Sequence, residues 1–390
     1  MRGGRVLARD AGRLRIRCEG RDEFVPAAGD ASPGDWVMLD GQRAPVVVHR
    51  YRGEPFPGPE SETARLSLAR VEGLYARAAI LGEIRQFFSE EKFLEIEAPT
   101  LVPAPGLEVN IKAVEAQGGY LITSPEYSMK RLLVGGLRRI YSMPRCFRSE
   151  EEGAHHSVEF TMLEWYRAFD DLSGIMRDTE RLVYRAIRRV ADEDQIMVGE
   201  TMVDVRPPWL RMTVQEAFET WASVSLAGDE SAAALAEKAV SAGIEVGRAT
   251  EWDDIFYVIF LERVQPALEA LDRAVLLTDW PAPLAALARS KPDAPQWALR
   301  FEAYVGGVEL ANAFDELTDA REQRRRFEAE RDERRRRGLA VYPIDEKFMA
   351  ALNEGLPPCA GIALGVDRLV MLAMQASRLR DVSAFSGDEI

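Results

Sequence analysis

Hydrophobic and polar residues alternate in short runs over the first fifty positions. "GRVLAR", "RLRIRCEG", "DEFVPA", "DWVMLDG" and "APVVVHR" set apolar residues at every second place or in small clusters, with Gly, Asp and Pro between them. The pattern predicts a small β-rich module over 1–50, a very small barrel or part of one. "YRGEPFPGPESE" then concentrates proline and glycine and predicts a linker at 51–64. From Leu66 the period lengthens to a helix, and Leu66, Val71, Leu74, Tyr75, Ala78, Leu81, Ile84 and Phe88 can share one face. A strand, "FLEIEAP", follows. The region from about 170 to 275 reads mostly as helix, and strands return at "AVLLTDWP", "WALRFEAYVGGVELANAFDEL" and "CAGIALGVDRLVML". Runs of strands with helices between them, without strict βα alternation, predict an α+β domain over 65–390 with a largely antiparallel sheet flanked by helices.

Composition narrows the function classes. The chain has 390 residues, 47% hydrophobic and 29% charged, an ordinary globular balance. No run approaches the roughly 18 apolar residues of a membrane span, so no membrane partner is expected. Its three cysteines, Cys18, Cys146 and Cys359, are far apart, which argues against a disulfide framework and for a reducing, cytoplasmic setting. A net charge of −14 leans against a polyanion as main partner. Neither G-x-G-x-x-G nor G-x-x-x-x-G-K-[ST] is present, which removes the usual dinucleotide and P-loop cradles.

Four segments carry candidate chemistry. "CFRSEEEGAHHSVEFTMLEWY" reads as two strands joined by a polar loop, with an arginine fork and aromatic rings suited to a phosphate and a purine. His155 and His156 could suggest a metal, but neighbours on an extended chain point to opposite sides. In "TSPEYSMKRLLVGG", Ser124 and Pro125 suit a turn into a helix starting near Glu126. That carboxylate either stabilises the helix start or faces a cationic ligand. "VGGVELANAFDEL" sets Glu309, Asn312 and Glu316 among apolar neighbours, as oxygen ligands for Mg²⁺ or a seat for an ammonium group. "CAGIALGVDRLVML" runs a glycine-containing strand into a helix with Asp367-Arg368 at the junction, either a structural pair or an arginine facing phosphates.

Taken together these residues carry a resemblance. "FRSEE…HHSVEFTMLEWY" resembles motif 2 of class II aminoacyl-tRNA synthetases, "GIALGVDRLVML" motif 3, and "FLEIEAPTLVP" the proline-bearing motif 1 strand. "TSPEYSMKRLL" and "ELANAFDELTDAREQ" are similar to the lysyl branch. The nearest resemblance is to the lysyl-tRNA synthetase-like EpmA/PoxA/GenX family of ligases that modify a lysine of translation elongation factor P. It spans about 65–390. The resemblance implies ATP and Mg²⁺ as cofactors, a homodimer, and no membrane. Arg148, Arg368 and Glu309 would be catalytic. Arg148, Ser149, Glu150, His156, Ser157, Phe160, Glu309, Leu310, Gly365 and Arg368 would hold ATP, with Glu309 also on the metal. Ser124, Pro125, Glu126, Tyr166, Asn312, Glu316 and Ala363 would form the pocket for (R)-β-lysine or lysine.

Three features favour a protein ligase over a tRNA synthetase. Only about 50 residues precede the linker, with no basic or aromatic platform for RNA bases, so tRNA is not expected as a partner. Ala363 stands where lysyl-tRNA synthetases usually have glycine, and one methyl group can shift isomer preference by about 1–3 kcal/mol. "MLEWYRAFDDL" also matches the ligases more closely. The chain departs from them at Ser157-Val158, where they generally have Asn-Pro, and at Ala154, where a basic residue is missing. The alternatives are a truncated lysyl-tRNA synthetase-like enzyme with another acceptor and a catalytically silent regulator. The silent form would be expected to have lost Arg148, Glu309 or Arg368, and all are present. "AREQRRRFEAERDERRRRGL" mixes arginines with acids at i,i+4 spacing, which predicts a solvated, ion-paired helix.

Overall fold

The computed structural model describes residues 1–27, 29–41, 44–53, 56, 62–66 and 68–389. The chain divides into two compact units, 1–77 with 380–390, and 78–379. The division falls inside the helix Leu68–Glu90, later than the expected linker, and the end of the chain belongs to the first unit. Much of the expected linker, 51–64, lies outside the described residues.

In the first unit, strands Arg2–Asp10, Arg13–Cys18, Arg21–Pro26, Trp36–Leu39 and Val46–His49 form one antiparallel sheet. Alternation places Val6, Leu14, Ile16 and Val37 in its core. The order leaves 21–26 and 46–49 at opposite edges, so strand pairing among the described residues does not close a barrel. The tail returns to the start of the long helix: Arg70 pairs with Glu389 at 2.7 Å and donates to the Arg380 carbonyl at 3.1 Å. A Cβ at Gly73 would stand 2.9 Å from the backbone of Val382. The buried stripe departs in part from the expected one. Gly73, Ala76, Ile80, Ile84, Phe87 and Phe88 are buried, and Tyr75 and Ala78 are exposed.

The second unit is built on a ten-stranded sheet. Its antiparallel centre runs Val275–Pro281, Ala294–Val305, Val308–Asp315, Cys359–Gly365, Glu159–Ala168 and Arg139–Ser142, with parallel pairs at both edges, to Leu210–Thr213 and Leu94–Glu95. The long strand-forming stretch from 294 to 315 turns back on itself at Gly306-Gly307. Both take positive φ, 56° and 75°, which a two-residue hairpin turn requires and side chains resist. Helices Leu172–Ala191 and Val366–Ala373 pack together on this sheet, and Glu126–Val134 packs on Glu346–Gly355. Between 214 and 269, helical segments bury Phe218, Phe256, Phe260 and Trp280 in a separate core. The arginine-rich helix Ala320–Arg336 carries the expected surface pairs, such as Arg325 with Glu322 at 2.7 Å and Arg336 with Glu333 at 2.6 Å. Its inner face departs from that expectation, because Gln323, Phe327 and Arg334 are buried.

Candidate active site

Residues directly opposite on neighbouring strands project from the same face. Ser142, Glu164, Ala363, Asn312 and Glu302 form one such row across five strands, and Tyr166, Gly361, Phe314 and Arg300 form the next. Over them lies a cleft of about 340 Å³, the size of a small-ligand site.

One end of the cleft is rich in carboxylates. Glu126, on the first turn of Glu126–Val134, meets the buried Lys130 one turn on, and Lys130 Nζ also lies 2.6 Å from Glu316 Oε2. Ser124 Oγ accepts from the Glu126 N–H at 3.0 Å and donates to Glu164 Oε1 at 2.6 Å. The Tyr166 hydroxyl donates to the other Glu164 oxygen at 3.0 Å. Gly361 leaves room for this packing, since a Cβ there would stand 2.2 Å from the Tyr166 ring and 2.6 Å from Glu316 Oε1. Three buried acids thus face one ammonium. Burial, then the charge of Glu126, pushes Glu164 up to about 8. Burial also raises Glu316 to about 8, with Lys130 opposing and Glu126 adding. For Lys130 burial works against the charge, but Glu126 and Glu316 more than offset it and hold the ammonium protonated. A second cation entering here would relieve both the burial penalty and the mutual repulsion.

The other end is built to meet an anion. Arg148 lies over the Phe160 ring at 5.2 Å, and its Nε is buried without a hydrogen-bond partner. Arg368 donates to the Glu309 carbonyl at 2.6 Å and to the His155 carbonyl at 3.1 Å. Its guanidinium stands 3.2 Å from His156 Nε2, so it ties the loop 148–158 to the strand Val308–Asp315. The Glu309 carboxylate is 3.8 Å from Arg368 and partly exposed. Asp367 accepts the Thr161 N–H at 2.7 Å, which ties the start of the helix Val366–Ala373 to the strand Glu159–Ala168. His155 and His156 both line the cleft; His156 Nδ1 is 3.5 Å from Glu151. Among the described residues no group of three His, Cys, Asp or Glu could hold a metal ion.

The structure gathers Ser124, Glu126, Arg148, His156, Ser157, Phe160, Tyr166, Glu309, Leu310, Asn312, Glu316, Ala363, Gly365 and Arg368 around this one cleft. Pro125, Ser149 and Glu150 lie outside its lining. Pro125 caps the helix. Glu150, at φ 69°, points its exposed carboxylate to Lys112 instead of inward. Sequence reasoning did not assign Glu164, Lys130 or Arg300 to the site. Glu164 shares its strand phase with Tyr166, and Lys130 is four residues after Glu126 on a helix, so both carried a readable signal. Arg300 donates to Asn312 Oδ1 at 3.0 Å and pairs with buried Glu302, which only strand register reveals.

An antiparallel sheet with an acid-rich end and an arginine-lined end on one face suits the joining of an amino acid to a phosphate group. The chain belongs to the class II tRNA synthetases (D, K and N), whose family model matches residues 68–389. Among curated relatives it is similar to proteins named elongation factor P--(R)-beta-lysine ligase. That of Sodalis glossinidius is 40% identical over 333 residues, covering 82% of this chain and 96% of the relative. The Erwinia tasmaniensis protein is 38% identical over 331 residues with the same coverage. That of Klebsiella pneumoniae is 38% identical over 342, covering 84% and 99%.

Proposed function

We propose that the chain activates (R)-β-lysine or lysine with ATP and transfers it to a lysine side chain of elongation factor P. The observation that carries this reading is the two-ended cleft: three buried carboxyls against one ammonium, and a buried arginine nitrogen without a partner. A lysine-like substrate brings two ammonium groups to the first end and its carboxylate toward the second. ATP would supply the adenylyl group that turns the carboxylate into a mixed anhydride with AMP, pyrophosphate leaving, and Mg²⁺ would neutralise the phosphates. The residues fit these groups. The free Arg148 Nε and Arg368 would hold phosphates, Phe160 would stack on the base, and Glu309 would take the metal, which needs only one or two carboxylates beside phosphate oxygens. Glu126, Glu164, Glu316 and Tyr166 orient the substrate amines, and the Arg148 and Arg368 guanidiniums stabilise charge that develops on the phosphate oxygens. Transfer to a protein and not to tRNA, a homodimeric state, and a cytoplasmic setting belong to the same reading. The names of the relatives support the protein acceptor, and the resemblance of "FLEIEAPTLVP" to the motif 1 strand supports the dimer; among the described residues no helix is long and apolar enough to cross a membrane.

The test is lysine-dependent ATP–pyrophosphate exchange. Exchange should be present in the unmodified enzyme, and Arg368→Ala should reduce it at least a hundredfold with unchanged circular dichroism. An Arg368→Ala enzyme exchanging at the normal rate would overturn the reading.

A further inference from the structure

A second groove, of about 840 Å³, adjoins the cleft, and the two share Glu108, Tyr257, Leu284 and Ala286. Most of its charged side chains are matched with one another: Arg336 with Glu251 at 3.3 Å, Arg337 with Asp253 at 2.9 Å, and Arg326 with Glu322 at 2.8 Å. With its arginines already paired, such a surface suits a polypeptide segment better than a polyanion.

Glu108 stands at the junction. Its backbone is fixed by Arg334, which donates to the carbonyls of Glu108, Val109 and Ile111 at 2.7, 3.0 and 3.2 Å. Glu330 accepts the Val109 N–H at 3.0 Å. Space for its carboxylate is kept by Gly106, where a Cβ would stand 2.3 Å from Glu108 Oε2. That oxygen is out of contact with solvent and has no hydrogen-bond partner, although the residue as a whole is only half-buried. A fixed loop, a glycine that makes room and an oxygen without a donor describe a receptor for a hydrogen-bond donor that arrives from outside.

We propose that Glu108 is the catalytic base of the transfer step, receiving the ε-ammonium of the acceptor lysine where the groove opens into the cleft. This rests on the function proposed above. Glu108 takes one proton from the ammonium. The freed nitrogen lone pair attacks the carbonyl carbon of the aminoacyl-adenylate and forms the C–N bond. The bond from that carbon to the phosphate oxygen breaks, AMP leaves with the electron pair, and the second N–H proton passes to solvent. The charged and titratable groups around Glu108 are Glu126, Tyr127, Lys130, Arg148 and Glu330. Burial, then Glu126, raises its carboxyl, with Arg148 and Lys130 opposing, which suits a group that must accept a proton near neutrality.

Glu108→Gln separates the two half-reactions. Lysine-dependent pyrophosphate exchange should persist, showing a folded site, while single-turnover transfer to elongation factor P falls at least thirtyfold. Capture of the adenylate by hydroxylamine, which is already a free base at neutral pH and needs no proton removed before it attacks, should stay at the normal rate. Glu108→Asp, which keeps a carboxylate, should recover part of the transfer. Transfer by Glu108→Gln at the normal rate would overturn the assignment. So would a joint fall in exchange and hydroxylamine capture, which would place Glu108 among the amino-acid contacts. No exchange in the unmodified enzyme would instead overturn the underlying function, and this assignment with it.

Discussion

Ala363 shows how a single methyl group is positioned to matter. It lies directly between Glu164 and Asn312 in the row beneath the cleft and lines the cleft itself. Ala363→Gly opens that floor and should move the ratio of kcat/KM for (R)-β-lysine over α-lysine about tenfold toward α-lysine, a methyl-sized effect of ~1–3 kcal/mol. An unchanged ratio in pyrophosphate exchange would remove Ala363 from the specificity account. Glu330 makes a different prediction. Burial, then the charge of Glu108, raises its carboxyl to about 7, while the Val109 N–H and Arg334 oppose. The folded-state pKa lies above the unfolded value, so the stabilising contribution is complete below about pH 4.5 and is lost as pH rises through about 7. Glu330→Gln should therefore lose less stability than the parent between pH 5 and pH 8, by about 1–3 kcal/mol in urea denaturation. Equal losses would contradict it. At this scale Glu126, Arg148, Glu309 and Arg368 were legible through resemblance to family motifs. Glu108 was not, because nothing in "PGLEVN" marks an oxygen left without a donor; only packing shows that.

Among the elements, strands and hairpins were the most legible. Period-two alternation and the Gly306-Gly307 pair carry local information that the fold obeys. The long helix from Leu68 was legible in kind and only partly in orientation: Ile84 and Phe88 are buried as expected, whereas Gly73 is buried against Val382, more than 300 residues away in the sequence. The arginine-rich helix misled more. Its composition predicts a solvated surface, and most of its arginines do pair there. Arg334 instead turns inward, over the Tyr342 ring at 4.2 Å, and donates to four carbonyls, including Ala340 at 2.6 Å. Removing a buried guanidinium leaves those carbonyls without donors. Arg334→Ala should thus destabilise the protein by roughly 3–5 kcal/mol, against ±0.5 for an outward neighbour such as Arg325→Ala. Thermal unfolding of the two variants side by side checks this, and equal melting temperatures would return Arg334 to the surface.

For the whole molecule, the two compact units divide the chain differently from its composition. Proline and glycine predict a linker at 51–64, whereas the packing boundary falls at 77 within a continuous helix, and the last eleven residues belong to the N-terminal unit. Composition reports where a chain is free to turn; it does not report which distant segments pack together. The catalytic unit was legible as a class because its motifs recur in order along the chain, and the cleft they build has ends of opposite character. On the function proposed above, one end takes a doubly cationic amino acid, the other a nucleotide, and the product passes to a protein. The most direct test is the intact mass of elongation factor P after incubation with this enzyme, ATP, Mg²⁺ and either (R)-β-lysine or α-lysine. The account predicts a gain of one lysyl group, faster with the β isomer. Unmodified elongation factor P with both isomers, under conditions where pyrophosphate exchange is active, would contradict it.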